Sequence, residues 1–209
     1  MTKTIIFDFW GTLVEHGVWS PIKQVKTILK LNIPFSDFIV RFETAMMTRK
    51  FKELREAFLA VGEEFNIDIT KNEMDQLIGT WNKSWMLAEP YEETIQVLTK
   101  LKKDHQLVLV SNTDPFSIEK VLEKHKLTQL FDIIFLSYQE GVIKTDHKFF
   151  NQLFTKHNLK KEDSVMVGDS LQSDILAAQN ADIKAILIDR KDRREYKNKI
   201  LSLKELEGI

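Results

Sequence analysis

The sequence predicts an α/β protein in which a parallel sheet core is interrupted by an all-helical insertion, and three observations predict it. Short apolar runs rich in β-formers recur at Thr4–Phe7, Gln106–Val110, Ile133–Leu136, Ser164–Val167 and Ala185–Ile188. Each has the length and uniform hydrophobicity of a strand buried on both faces. Helical patterns over Ser117–His125, Asp146–His157 and Leu171–Asn180 separate the later runs, and such alternation indicates a parallel sheet with helices on both sides. Between residues 14 and 88 the alternation stops and apolar residues recur at helical spacing only. The expected architecture is a three-layer, Rossmann-like core of residues 1–13 and 89–209, with 14–88 as an inserted helical cap.

The elements follow in order. Thr4-Ile5-Ile6-Phe7 is the first strand and Asp8 closes it. Ser20-Pro21 offers an N-cap and a first-turn proline for a helix to Leu31. Pro34 interrupts, and Asp37–Phe65 reads as one long helix or two successive ones, with Phe38, Phe42, Ala45/Met46 and then Phe51, Leu54, Phe58 on apolar faces. Thr70 and Glu73 form a capping box opening a helix through Met74, Leu77, Ile78, Trp81 and Trp85. Gly62 and Gly79 are expected to end or kink helices of the insertion. Trp81 and Trp85, an i,i+4 pair, would seat the insertion against another surface, and with Trp19 they read as core rather than substrate contacts. Pro90 is expected to start a helix running to Lys103, which feeds the second strand.

Composition narrows the chemistry. The chain of 209 residues has no cysteine, which excludes a thiolate nucleophile, a CxxC redox pair and a thiolate zinc site, and fits a reducing compartment. Thirty Lys+Arg against thirty-one Asp+Glu leave a net charge of -1, so no global field draws in nucleic acid or an anionic membrane. Lys102-Lys103 and the stretch Arg190 to Arg194 read as solvated surface. No apolar run is long enough to span a bilayer, and Thr4–Phe9 is too short and too acidic for a secretory leader. The expected setting is cytoplasmic, as a monomer or homodimer without nucleic-acid or membrane partners. The histidines His16, His105, His125, His147 and His157 show no zinc-binding spacing.

Open α/β sheets bind ligands beyond the carboxyl ends of their strands, and four stretches fall there: Asp8-Phe9-Trp10-Gly11-Thr12, Ser111-Asn112, Gly141-Val142-Ile143-Lys144, and Gly168-Asp169-Ser170 continuing to Asp174. Taken singly, their polar residues would be caps, turns or surface groups. Brought to one edge, they make a cluster of three carboxylates, two hydroxyls and a lysine. Such a cluster suits phosphoryl transfer. Two carboxylates can hold Mg²⁺, which prefers oxygen ligands, and a third can attack phosphorus to give an aspartyl-phosphate. Lys144 and the cation would offset the negative charge of the transferred group.

In order and spacing, the four stretches resemble the four motifs of the haloacid dehalogenase superfamily, in those members with a helical cap inserted after the first motif. The resemblance covers nearly the whole chain. It implies a small phosphorylated metabolite as substrate, Asp8 as nucleophile and metal ligand, and Thr12 and Ser111 as hydrogen-bond donors to phosphoryl oxygens. Lys144 would bridge nucleophile and phosphoryl group. Asp169 would be the main metal carboxylate, with Asp174 supporting the metal shell or Lys144. Trp10 would ligate the Mg²⁺ through its backbone carbonyl, and Trp10, Gly11 and Asn112 would border the substrate.

One position departs from the pattern. Phosphatases of this superfamily carry a second aspartate where this chain has Trp10, and that aspartate is their general acid and base. An indole N–H only donates, and losing general acid–base catalysis costs roughly 10²–10⁴-fold, most for alkyl phosphates and least for acyl or aryl phosphates. Glu15 is the nearest acid that could stand in. Trp10 is closer to the tyrosine of the dehalogenases proper, so a metal-independent 2-haloacid dehalogenase is one alternative. It would need a cap arginine, for which Arg41, Arg49 and Arg55 are candidates, although a carboxylate at 169 is a metal ligand by type. A weakly active or non-enzymatic binding protein on the same scaffold is the other alternative.

Overall fold

The structure is a computed structural model and describes residues 3–207. The chain enters through strand β1 (Thr4–Asp8). A two-residue strand β2 (Val14–Glu15) follows, then four helices: α1 (Pro21–Ile28), α2 (Phe35–Met47), α3 (Leu54–Phe65) and α4 (Lys71–Met86). It returns through β3 (Glu89–Pro90), α5 (Thr94–Leu101), β4 (Gln106–Ser111), α6 (Ile118–Lys124), β5 (Ile133–Leu136), α7 (Ser137–Glu140) and α8 (His147–His157). Strand β6 (Ser164–Gly168), a π-helical turn at Leu171–Leu176, α9 (Ala177–Asn180), β7 (Lys184–Ile188) and β8 (Lys199–Ile200) follow, with short 3-10 turns at Thr128–Leu130, Lys161–Asp163 and Leu203–Leu206.

Six strands form one sheet in the order β5-β4-β1-β6-β7-β8, with every neighbouring pair parallel. Alternation along each strand sends side chains to two faces. Ile5, Phe7, Leu107 and Leu109 join the α5 and α6 residues Val97, Leu98, Val121 and Leu122 in one apolar cluster. On the other face Ile6, Val108, Val110 and Met166 pack with Phe149, Phe150 and Leu153 of α8. The helices α1 to α4 bury a third cluster of their own, built on Val25, Phe38, Phe42, Met46, Phe58, Leu77 and Trp81. The architecture is therefore the expected α/β sheet with an inserted helical unit. Among the described residues no helix is long and apolar enough to cross a membrane.

Some local expectations hold and others need correction. Ser20 makes no side-chain cap and lies at φ 38°, so Pro21 alone starts α1. Of the two readings of Asp37–Phe65 the second holds: there are two successive helices, the first starting at Phe35, separated by a non-helical stretch between Met47 and Leu54. The Thr70–Glu73 capping box is present with both reciprocal bonds. Helix α4 runs through Gly79, which has open space around it, while Gly62 lies one turn before the end of α3 and makes room for the returning carbonyl of Ile67. Pro90 does not start a helix. It ends β3 and pairs with Val14 of β2 in an antiparallel ribbon, and α5 begins only at Thr94. The ribbon β2–β3 and the edge strand β8 had no sequence signal, since two-residue strands are too short to show a period.

Candidate active site

Strand order sets the site. β1 lies between β4 and β6, with Asp8 beside Val110 and Phe7 beside Val167, so the ends of three strands open on one edge. This is the point at which the chain order reverses across the sheet, the usual ligand crevice of open α/β folds. Past the end of β6, the carbonyl of Ser170 accepts from the N–H groups of both Asp174 and Ile175. That widened turn returns the Asp174 carboxylate to the Ser170 N–H at 2.9 Å. Gly168 permits the close approach, because a Cβ there would sit 2.3 Å from Cγ of Asp174.

At the floor, Lys144 Nζ donates to Asp8 Oδ1 at 2.6 Å and to Asp174 Oδ1 at 2.5 Å, and the Thr12 hydroxyl donates to Asp8 Oδ2 at 3.0 Å. Asp8, Lys144 and Asp174 are all buried. Burial works against a charged lysine, but Asp174 and Asp8 outweigh it and hold Lys144 protonated well above the ordinary lysine range. Burial, with the Asp174 charge, raises Asp8 to about 6 despite Lys144. Asp169 is raised to about 8 by burial and then by the Asp8 and Asp174 charges. Oxygens of Asp8, Asp169 and Asp174 lie within 4.8 Å of one another. Gly11, at φ 81°, lies against Asp169, where a Cβ would come within 2.6 Å of Oδ2. The floor thus concentrates negative charge that one ammonium does not balance, on hard oxygen donors, which is the chemistry of a site for a small divalent cation.

The sequence-predicted residues divide into two groups. Asp8, Trp10, Gly11, Asn112, Lys144, Asp169 and Asp174 line one cavity of about 540 Å³. Thr12 and Ser111 are fully buried behind its wall. There Thr12 orients Asp8, and Ser111 donates to the Asn112 carbonyl at 3.4 Å. Trp10 stacks on His16, with ring centroids 4.7 Å apart and planes 7° apart, and its indole N–H donates to Thr113 Oγ1 at 3.4 Å. Burial lowers His16 to about 4. Glu15 is exposed and is not part of the cavity lining.

The insertion closes the cavity from above. Asn112 Nδ2 donates to Glu43 Oε2 on α2 at 2.7 Å, while Asn112 Oδ1 accepts the Lys144 N–H at 2.8 Å. Trp81 Nε1 donates to the buried carboxylate of Asp114 at 2.9 Å. Burial raises Glu43 to about 7 and also raises Asp114. Trp81 is core and cavity wall together, Trp85 lines the cavity half-buried, and Trp19 is 75% exposed, so Trp19 is not core. Glu43, Asp114 and His16 escaped the sequence reading. The available signal for Glu43 was an acid set among the apolar positions of α2. Arg41 pairs with Glu64, Arg55 with Asp75, and Arg49 covers Phe51. All three are exposed and none lines the cavity.

Comparison with known proteins gives a consistent placement. The profile of the haloacid dehalogenase-like hydrolases matches residues 2–182. A glyceraldehyde 3-phosphate phosphatase of Pyrococcus furiosus is 26% identical over 203 residues, covering 88% of this chain and 79% of that protein. The enzyme of the same name from Methanothermobacter thermautotrophicus is 27% identical, covering 90% and 86%. Among solved structures, a haloacid dehalogenase-type phosphatase from Thermococcus onnurineus superposes with TM-score 0.63 at 24% identity, over 99% of this chain and 96% of that one, and so shares the fold.

Proposed function

The chain belongs to the haloacid dehalogenase-like hydrolase family, and on that footing we propose that it is a Mg²⁺-dependent phosphomonoester hydrolase acting through an aspartyl-phosphate on a small phosphorylated metabolite. The observation that carries the reading is the buried Asp8–Lys144–Asp174 array with Asp169 beside it. Its excess of negative charge and its all-oxygen donor set fit a hard divalent ion. Relatives named as phosphatases support the reaction class. We assign residues 14–88 to the cap.

In this reading Asp8 attacks phosphorus. The new bond joins an Asp8 oxygen to phosphorus, and the bond from phosphorus to the leaving-group oxygen breaks. Thr12 and Lys144 hold one Asp8 oxygen each, which fixes the plane of the carboxylate before attack. Water then hydrolyses the acyl phosphate, releasing inorganic phosphate and regenerating Asp8. Asp8, Asp169, Asp174 and the Trp10 carbonyl would hold the Mg²⁺, which when bound neutralises charge on the phosphoryl oxygens. Lys144 stays protonated throughout and supplies the protein's own positive charge. Trp10 cannot donate its indole proton to the leaving group, which favours leaving groups that need little protonation.

Dehalogenation would require a guanidinium facing the substrate carboxylate, and the outward placement of Arg41, Arg49 and Arg55 speaks against it. The deciding experiment measures hydrolysis of an activated aryl phosphate in excess Mg²⁺ alongside a calorimetric Mg²⁺ titration. We expect turnover that EDTA and Asp8→Asn both abolish. Absence of both turnover and metal binding would refute the phosphatase reading, and halide release from a 2-haloacid persisting in EDTA would replace it.

A further inference from the structure

Above the phosphoryl-binding floor the cavity wall is mostly apolar, formed by Phe35, Ile39 and Met47 of α2 and by Trp81 and Trp85 of α4. One ionisable acid interrupts it. Glu43 of α2 is 7% exposed and is fixed through Oε2 by Asn112. Among the described residues no donor reaches its other oxygen, and the residue lines the cavity. Of the remaining ionisable groups of the lining, Lys144 offsets its charge in part, while Asp174 and Asp8 oppose it. Asp8, Asp169, Asp174 and Asp114 are acids. Lys144 is engaged by Asp8 and Asp174, and Arg194 donates to the Asp169 carbonyl. Lys23 is exposed at the mouth over the Trp19 and Phe35 rings, and burial keeps His16 neutral at pH 7.

We propose that Glu43 is the specificity-determining residue of this site: the cavity takes a phosphomonoester whose leaving group carries a hydrogen-bond donor, a hydroxyl or an ammonium, and rejects one carrying a second anionic group. The inference rests on the phosphomonoesterase reading above and deepens it by naming the substrate class. A donor meeting the open Glu43 oxygen gains a charge-assisted hydrogen bond. A carboxylate or second phosphate in the same place is buried against a like charge with no free cation beside it.

The test compares two substrates of matched size, phosphoethanolamine and phosphoglycolate, with an aryl phosphate as reference. It is run at about pH 8, above the value near 7 to which burial raises Glu43. The readout is the ratio of kcat/KM for the ammonium substrate over the carboxylate substrate. We expect a ratio of at least about a hundred in the wild type, falling about tenfold or more in Glu43→Gln with the change carried mainly by KM. Ile39→Lys, one helical turn away on the same wall, should move the ratio the same way without touching the Glu43–Asn112 bond. If the aryl phosphate is hydrolysed but the wild-type ratio is near one, or neither variant moves it, the proposal is overturned while the phosphatase reading stands. If the wild type hydrolyses no aryl phosphate in excess Mg²⁺, the parent reading fails and the proposal with it.

Discussion

Adding Mg²⁺ should stabilise the protein by an amount that grows with pH. The folded chain holds the Asp8 proton to about pH 6, against an ordinary value of 3.8. A carboxylate raised in this way favours the folded state fully below its unfolded value. That contribution is lost as pH climbs through the folded value. The gap between 3.8 and about 6 corresponds to about 3 kcal/mol at pH 8. Asp169, raised to about 8, acts in the same direction. A bound divalent cation favours the ionised carboxylates, so it removes this loss. Its increment should be small near pH 5 and approach about 3 kcal/mol near pH 8, or roughly 6–12 °C in Tm for a chain of this size. Scanning calorimetry with saturating MgCl₂ against EDTA across that pH range measures it, and Asp169→Asn should erase most of the increment. Equal increments at both ends of the range, or none at the upper end, would refute the charge-imbalance account of the site.

Trp10→Asp should raise turnover of alkyl phosphates about tenfold or more relative to aryl phosphates, because it supplies a group able to pass a proton to the leaving oxygen. It should also lower stability by about 1 kcal/mol through loss of the His16 stack, and an unchanged alkyl-to-aryl ratio would show that protonation does not limit the rate. Gly168→Ala forces a methyl to 2.3 Å from Cγ of Asp174, so it should cost about 1–3 kcal/mol and weaken Mg²⁺ binding by shifting Asp174 from Lys144; wild-type melting and affinity would contradict that role.

The strands were legible because central parallel strands are buried on both faces and therefore appear as unbroken apolar runs; β5 coincides with its run, and β1, β4, β6 and β7 each extend theirs by one residue. The floor of the site was legible for a related reason. Asp8 ends β1, Asp169 directly follows β6, and Asp174 and Lys144 lie in the segments beyond β6 and β5, and parallel topology alone carries strand ends to one edge. Hydroxyl accessibility was not legible, since whether Thr12 and Ser111 face the cavity or lie behind its wall depends on how the following turns pack.

What sequence alone determined, then, is the class of the fold and the charged floor of the cleft, both set by local periodicity and by strand-end position. Tertiary structure decided the roof. Glu43 meets Asn112 across 69 residues and Trp81 meets Asp114 across 33, and neither pair leaves a local pattern. Only the packing of the insertion onto the strand ends brings these partners together, and it buries Glu43 with one carboxylate oxygen still open to the cavity.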